Sequence, residues 1–170
     1  VLTEATADLA FALLMASARR IGEGVDYIRA GEWRTWEPLT LLGADVTGAT
    51  LGIIGLGRIG KAVAQRAAGF DMKVLAHNRT PDEAEAASVG ATLADLDTVL
   101  RESDFVSLHV SLNADTRHLI NRDTLATMKR TAILINTTRG PVVDQKALYE
   151  ALKEGLLRGA ALDVTDPEPI

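Results

Sequence analysis

Gly55, Gly57 and Gly60 stand in the run Thr50-Leu51-Gly52-Ile53-Ile54-Gly55-Leu56-Gly57-Arg58-Ile59-Gly60-Lys61, with the spacing of a phosphate-holding turn. Each glycine has its own task there: Gly55 for the tight turn, Gly57 for close approach of a pyrophosphate, Gly60 for packing the next helix on the strand. The phosphates would meet the unpaired N–H groups and positive dipole end of that helix. A second group, Asn78-Arg79-Thr80, follows the apolar stretch Met72-Lys73-Val74-Leu75-Ala76. In a dinucleotide site this position faces the adenosine ribose, where an acid bonds the 2′-hydroxyl and an arginine accepts a 2′-phosphate. Asn78 is not an acid and Arg79 is a cation, which favours NADP, with NAD as the alternative. Arg139 and Asp163 each follow an apolar run, the places where polar side chains of such folds meet ligands.

Other chemistries fit poorly. The chain has no cysteine, which removes thiolate ligands and a thiol nucleophile. His77, His109 and His118 are scattered, without metal-ligand spacing, so no metal is expected. Ser107, His109 and Asp104 share one apolar run, whereas a hydrolytic triad converges from separate elements.

A glycine triplet of this spacing is weak on its own; its context decides. The run through Ile53 and Ile54 reads as a buried strand, and Ala62-Val63-Ala64-Gln65-Arg66-Ala67-Ala68 as the helix after it. Strands are then expected at 72–76, briefly at 90–92, at 104–110, 132–136 and 158–163. Helices are expected at 83–88, 95–101, 121–128 and from the cap Asp144 through Ala151, closed by Gly155. Thr80-Pro81-Asp82-Glu83 has the pattern of a capped helix start, with Thr80 as cap, in which case Arg79 is an ordinary surface charge. The alternation implies an α/β fold, a doubly wound parallel sheet covered on both faces.

Ahead of this lies a segment of different character. A helix is expected from Thr3, as cap, to about Arg20, apolar on more than one face through Leu9, Phe11, Leu13, Leu14 and Met15. It either packs wholly within its chain or buries part of itself against another subunit. A second helical stretch, 24–30, leads into a loop with both tryptophans, Trp33 and Trp36. These anchor a subunit interface, reach a ligand, or pin the loop to its own domain. Residues 1–47 thus form a helical and loop segment with a dimer contact, and residues 48–170 the sheet and its helices.

Composition sets the outer bounds. With 47% hydrophobic and 24% charged residues, the chain is neither a disordered tail nor a membrane protein. A net charge of −5 argues against a general nucleic-acid binder. The apolar start is interrupted by Asp8 and ends in Arg19-Arg20, unlike a signal peptide, so a cytoplasmic location is expected. The chain begins without methionine and ends inside a motif, as a fragment of a longer protein does.

Leu51 to Lys61, Ile135-Asn136-Thr137-Thr138-Arg139-Gly140 with Val142-Val143-Asp144, and Ala161-Leu162-Asp163-Val164 with Pro167-Glu168-Pro169 together resemble the D-isomer-specific 2-hydroxyacid dehydrogenases. The resemblance covers the whole chain. Trp33, Trp36-Glu37-Pro38-Leu39 and the stretch 163–169 look most like glyoxylate/hydroxypyruvate reductases. It implies a Rossmann-type NAD(P)-binding domain, a homodimer, and a small 2-keto or 2-hydroxy acid as substrate. Arg139 matches the family's substrate arginine, a guanidinium able to grip the carboxylate with two bonds while polarising the adjacent carbonyl. Glu168 matches the acid that holds the catalytic histidine in its protonated form. Asp163 matches a contact to the nicotinamide carboxamide, Arg58 and Ile59 pyrophosphate contacts, and Ser111 and Thr137 further cofactor contacts. Trp36 looks like the tryptophan that reaches the neighbouring subunit's site and limits substrate size.

Two departures qualify this. The family's catalytic histidine lies beyond the Pro-Glu-Pro motif, and none of the three histidines here has the matching context. The substrate domain is missing as well. The 170 residues are therefore expected to bind cofactor but to turn over poorly alone. A phosphoglycerate-type dehydrogenase is the nearest alternative, and a non-catalytic dinucleotide-sensing protein of the same fold the rival from another class.

Overall fold

The computed structural model describes residues 2–168; Pro169, the end of the last quoted motif, lies outside them. Six strands form one parallel sheet: β1 (Thr50–Ile54), β2 (Lys73–His77), β3 (Ala91–Leu93), β4 (Phe105–Leu108), β5 (Ile133–Asn136) and β6 (Gly159–Leu162). Their order is β3-β2-β1-β4-β5-β6. The chain winds outward from β1 to β3, then crosses back to β4 and winds the other way. That reversal leaves a crevice between the carboxyl ends of β1 and β4, where Ile54 pairs with Leu108.

The continuous apolar runs follow from burial on both faces. Successive residues of a strand point to opposite sides, so Ile53 joins one core and Ile54 the other. Likewise Ile133 and Ile135 face one layer and Leu134 its opposite. The second layer is made by α5 (Leu96–Glu102), α6 (Arg122–Thr127) and α7 (Gln145–Lys153). The first contains α3 (Arg58–Ala67) and α4 (Glu83–Ser88), which cover only the β1–β3 half of their face.

The other half is covered by α1 (Leu2–Ala18), which packs against α3, β5 and β6. Its Ala7, Ala10, Phe11, Leu14 and Ala18 are buried, and Phe11 stacks on Phe70 at 5.2 Å. The helix thus does much of its packing within its own chain, while Leu2 and Leu9 stay exposed. It has already begun at Leu2, so Thr3 is not its cap. It ends at Ala18 because the chain turns at Arg20, which is left-handed (φ 53°), and α2 (Ile21–Arg29) starts there, earlier than expected.

Local start signals worked where a single side chain reaches its own helix. Asp95 accepts from the Thr98 N–H at 2.8 Å, Asp144 from Ala147 at 3.0 Å, and Asn121 forms a capping box with Thr124. The expected Thr80 cap is overturned: Asp82 caps α4 by accepting from Glu85 N–H at 2.9 Å. The Thr80 carbonyl is already engaged, accepting from Asn78 Nδ2 at 3.0 Å in a local turn. No described helix is long and apolar enough to cross a membrane.

Candidate functional site

The turn after β1 is fixed by what its glycines touch. Gly55 has φ +100°, a conformation that disfavours any side chain. A Cβ there would also lie 2.8 Å from the His109 carbonyl carbon. At Gly60 a Cβ would come within 2.2 Å of the Gly55 carbonyl oxygen, so this glycine lets α3 lie against the strand. Gly57 is the opposite case. It is exposed, nothing stands within 4 Å of its would-be Cβ, and it begins α3 without a side-chain cap. The first amides of α3 therefore open onto free space, as an anion site requires.

Two cavities flank this turn along the carboxyl edge of the sheet. One, of about 530 Å³, lies between the ends of β2 and β4, with Gly55, Gly57, Asn78 and Arg79 in its wall. The second, of about 490 Å³, extends past Ile59 to Thr137, Thr138 and Arg139. Both are lined by His109, Val110 and Ser111, so they form one crevice crossing the point where the strand order reverses. Its two-lobed shape suits a dinucleotide, one lobe for each nucleoside and the glycine turn between them.

Polar groups in the crevice fit such a ligand. His109 Nδ1 and Thr137 Oγ1 are buried and have no partner within the protein, an arrangement that a bound polar molecule would relieve. The other ring nitrogen of His109 lies 2.8 Å from Ser107 Oγ. Burial pushes the His109 imidazole down to a pKa of about 4, so the ring is neutral near pH 7. Arg79 reaches across the mouth of the first lobe to Asp115, at 3.6 Å. Arg58 lies exposed at the first position of α3. Thr80 does not line either lobe.

At the far end, the loop after β5 is organised by a buried amide. Asn136 Oδ1 accepts from Thr138 N–H at 3.0 Å and Thr138 Oγ1 at 2.8 Å, while its Nδ2 donates to the Arg139 carbonyl at 3.1 Å. Arg139 is thereby presented outward, its Nη1 donating to the Thr138 carbonyl at 2.7 Å. Gly140 then passes so close to the loop after β6 that a Cβ would lie 1.9 Å from the Thr165 carbonyl oxygen. Asp163, just past β6, is exposed and donates its N–H to the Asn136 carbonyl at 3.0 Å. Glu168 accepts from Thr165 N–H at 3.2 Å, and Asp166 N–H is tied to Gln145 of α7 at 2.9 Å. The Arg139 loop and the Glu168 loop are thus brought side by side, by Gly140.

Residues 11–170 match the family model described as "D-isomer specific 2-hydroxyacid dehydrogenase, NAD binding domain". The chain belongs to the D-isomer-specific 2-hydroxyacid dehydrogenase family. It is 57% identical over its full length to a glyoxylate reductase of Korarchaeum cryptofilum, covering 52% of that protein. It superposes on a glyoxylate reductase of Paecilomyes thermophila with a TM-score of 0.90 at 42% identity, covering 99% of this chain and 50% of the other. The D-lactate dehydrogenase of Aquifex aeolicus, solved with NAD and lactic acid, gives 0.86 at 36% identity, covering 95% and 47%. The chain spans about half the length of the curated relatives it matches.

In this dehydrogenase domain, Gly55, Gly57, Ile59, Asn78, Arg79, Ser111, Thr137 and Arg139 all line the crevice. Trp36 does not. It is 77% exposed and stands with Trp33 beside α2, on a separate groove. Three contributors escaped the sequence reading. Asn136 signalled itself as an amide ending an apolar run before Thr-Thr-Arg, a turn-forming pattern. His109 looked like an ordinary strand-end residue, and Asp115 had no local signal at all. Among the described residues no cluster of three or more His, Asp or Glu could hold a metal ion.

Proposed function

We propose that this domain serves an NAD(P)H-dependent reductase of small 2-keto acids, with glyoxylate and hydroxypyruvate as preferred substrates. The observation that carries the reading is Arg139, held out at the end of a two-lobed dinucleotide crevice by the buried Asn136. When bound, the reduced nicotinamide supplies a hydride to the carbonyl carbon. Arg139 pairs with the substrate carboxylate and draws electron density toward the carbonyl oxygen, which needs a proton as the hydride arrives. Glu168, in the neighbouring loop, holds a histidine from outside residues 1–170 in its protonated form. Asp163 orients the nicotinamide carboxamide, while Arg58, Ile59 and the amides of α3 hold the pyrophosphate. Ser111 and Thr137 complete the cofactor contacts.

NADPH is proposed as the preferred cofactor, because no acid stands at the end of β2 and Arg79 offers a fork for a 2′-phosphate. The absence of that acid does not prevent NADH from binding. A cytoplasmic homodimer is proposed, with Trp36 reaching the partner's site. The groove beside α2 supports this, since Ile28, Trp33, Trp36 and Leu42 are all exposed there.

The test is titration of the full-length protein with NADPH and NADH, followed by steady-state assay with glyoxylate and hydroxypyruvate. Tight binding of either cofactor with turnover of either acid supports the reading. Binding without turnover of any small 2-keto acid removes the enzymatic part and leaves a dinucleotide-sensing module.

A further inference from the structure

Arg79 is not waiting free for a ligand. It leaves the end of β2 and meets Asp115 at 3.6 Å, on the far wall of the same lobe. The Asp115 backbone belongs to a tight turn, which keeps its carboxylate at the mouth of this lobe. The Asp115 N–H donates to Asn113 Oδ1 at 2.9 Å, Thr116 N–H donates to the same oxygen at 3.1 Å, and Thr116 Oγ1 donates to the Ser111 carbonyl at 2.7 Å. The other titratable side chains of this lobe are directed elsewhere. His77 Nδ1 lies 3.3 Å from the Ala94 carbonyl, and His109 pairs with Ser107 through Nε2, its Nδ1 unpartnered and its ring neutral near pH 7, so His109 offers no charge to Arg79.

We propose that Asp115 is a selectivity residue, whose carboxylate holds Arg79 across the mouth of the adenosine lobe and sets the balance between NADPH and NADH. The inference rests on the dinucleotide reading given above. A 2′-phosphate reaching for Arg79 meets a carboxylate already on that guanidinium, so it must compete for the cation and lie near a like charge. NADH brings a neutral 2′-hydroxyl to the same place and meets neither cost. Selectivity is then a property of two side chains from different loops, not of the β2 end alone. Both partners are well exposed, so the pair is weak and readily exchanged.

The experiment is binding of NADPH and NADH to the full-length protein by fluorescence or calorimetry, in wild type, Asp115→Asn, Arg79→Ala and the double variant. Competition by 2′,5′-ADP and 5′-ADP confines the readout to the adenosine end. Asp115→Asn is expected to tighten NADPH and 2′,5′-ADP up to about fivefold at low salt, the scale of one exposed charge pair. NADH and 5′-ADP should change little. The gain should shrink near 1 M salt, where charges are screened within ~3 Å, and vanish when Arg79 is alanine. Equal changes for both cofactors, no change, or weaker NADPH binding by Asp115→Asn overturns the proposal while the crevice remains a dinucleotide site. Failure of the wild type to bind either cofactor overturns the dinucleotide reading, and this inference with it.

Discussion

At the residue scale, the side chain proposed to grip the substrate and the one that positions it are separate. Arg139 was visible because a guanidinium after a buried strand has few structural uses. Asn136, 1% exposed, does the positioning. Removing its amide leaves the Thr138 N–H without a partner and the Arg139 carbonyl with the Val142 N–H alone, so Asn136→Ala should cost about 1–3 kcal/mol of stability. If the full-length protein is the reductase proposed above, its kcat/KM should also fall at least tenfold by loosening of Arg139, checked by thermal melts and steady-state kinetics. Arg139→Lys keeps the charge but loses the planar fork. A loss of about 100-fold or more in kcat/KM for glyoxylate is expected, larger than the change in cofactor affinity. His109 gives a pH signature. Its folded pKa, about 4, lies below the ordinary value of 6.5, so the unfolded chain binds the proton more readily between those limits. Stability from this group is fully present above pH 6.5 and falls as the pH drops toward 4. Between pH 5 and 6.5 the unfolding free energy should rise by about 1–2 kcal/mol from His109 alone. His109→Gln should flatten that part of the denaturation profile.

At the element scale, the turn from β1 into α3 separates fold from ligand. Gly60→Ala places a methyl against the Gly55 carbonyl, a backbone clash. It should cost more than about 2 kcal/mol, with dinucleotide binding lost in parallel. Gly57→Ala adds its methyl to open space. Stability should fall by about 1 kcal/mol or less, while cofactor affinity drops where the pyrophosphate needs that space. Denaturation and NADH titration of the two variants, side by side, check the distinction. Strands β1, β4 and β5 were legible because two-sided burial makes them unbroken apolar runs. The start of α4 was misread because Thr80 and Asp82 both have capping chemistry. Which one caps depends on where the chain enters the helix: Asp82 Oδ1 reaches the Glu85 N–H, while Thr80 stands in the turn made with Asn78, and propensity does not encode that.

On the scale of the whole molecule, α2 buries none of its residues, and the neighbouring loop exposes Trp33 at 62% and Trp36 at 77%. A surface of this kind is expected to close against a second copy. Sedimentation of the full-length protein should give a dimer, and Ile28→Glu with Trp33→Glu should shift it to monomer; a wild-type monomer at high concentration would count against the arrangement. The sequence by itself determined the alternating elements, the glycine turn, the missing acid after β2 and the place of Arg139 just past a buried strand. These follow from side-chain period, local sterics and charge, all read within a few residues. Only the tertiary structure decided that α1 roofs the half-sheet left bare by α3 and α4, that Gly140 sets the Arg139 loop against Thr165, and that Arg79 faces Asp115. Each of these depends on elements far apart in the chain meeting in space, and packing of the whole sheet fixes where they meet.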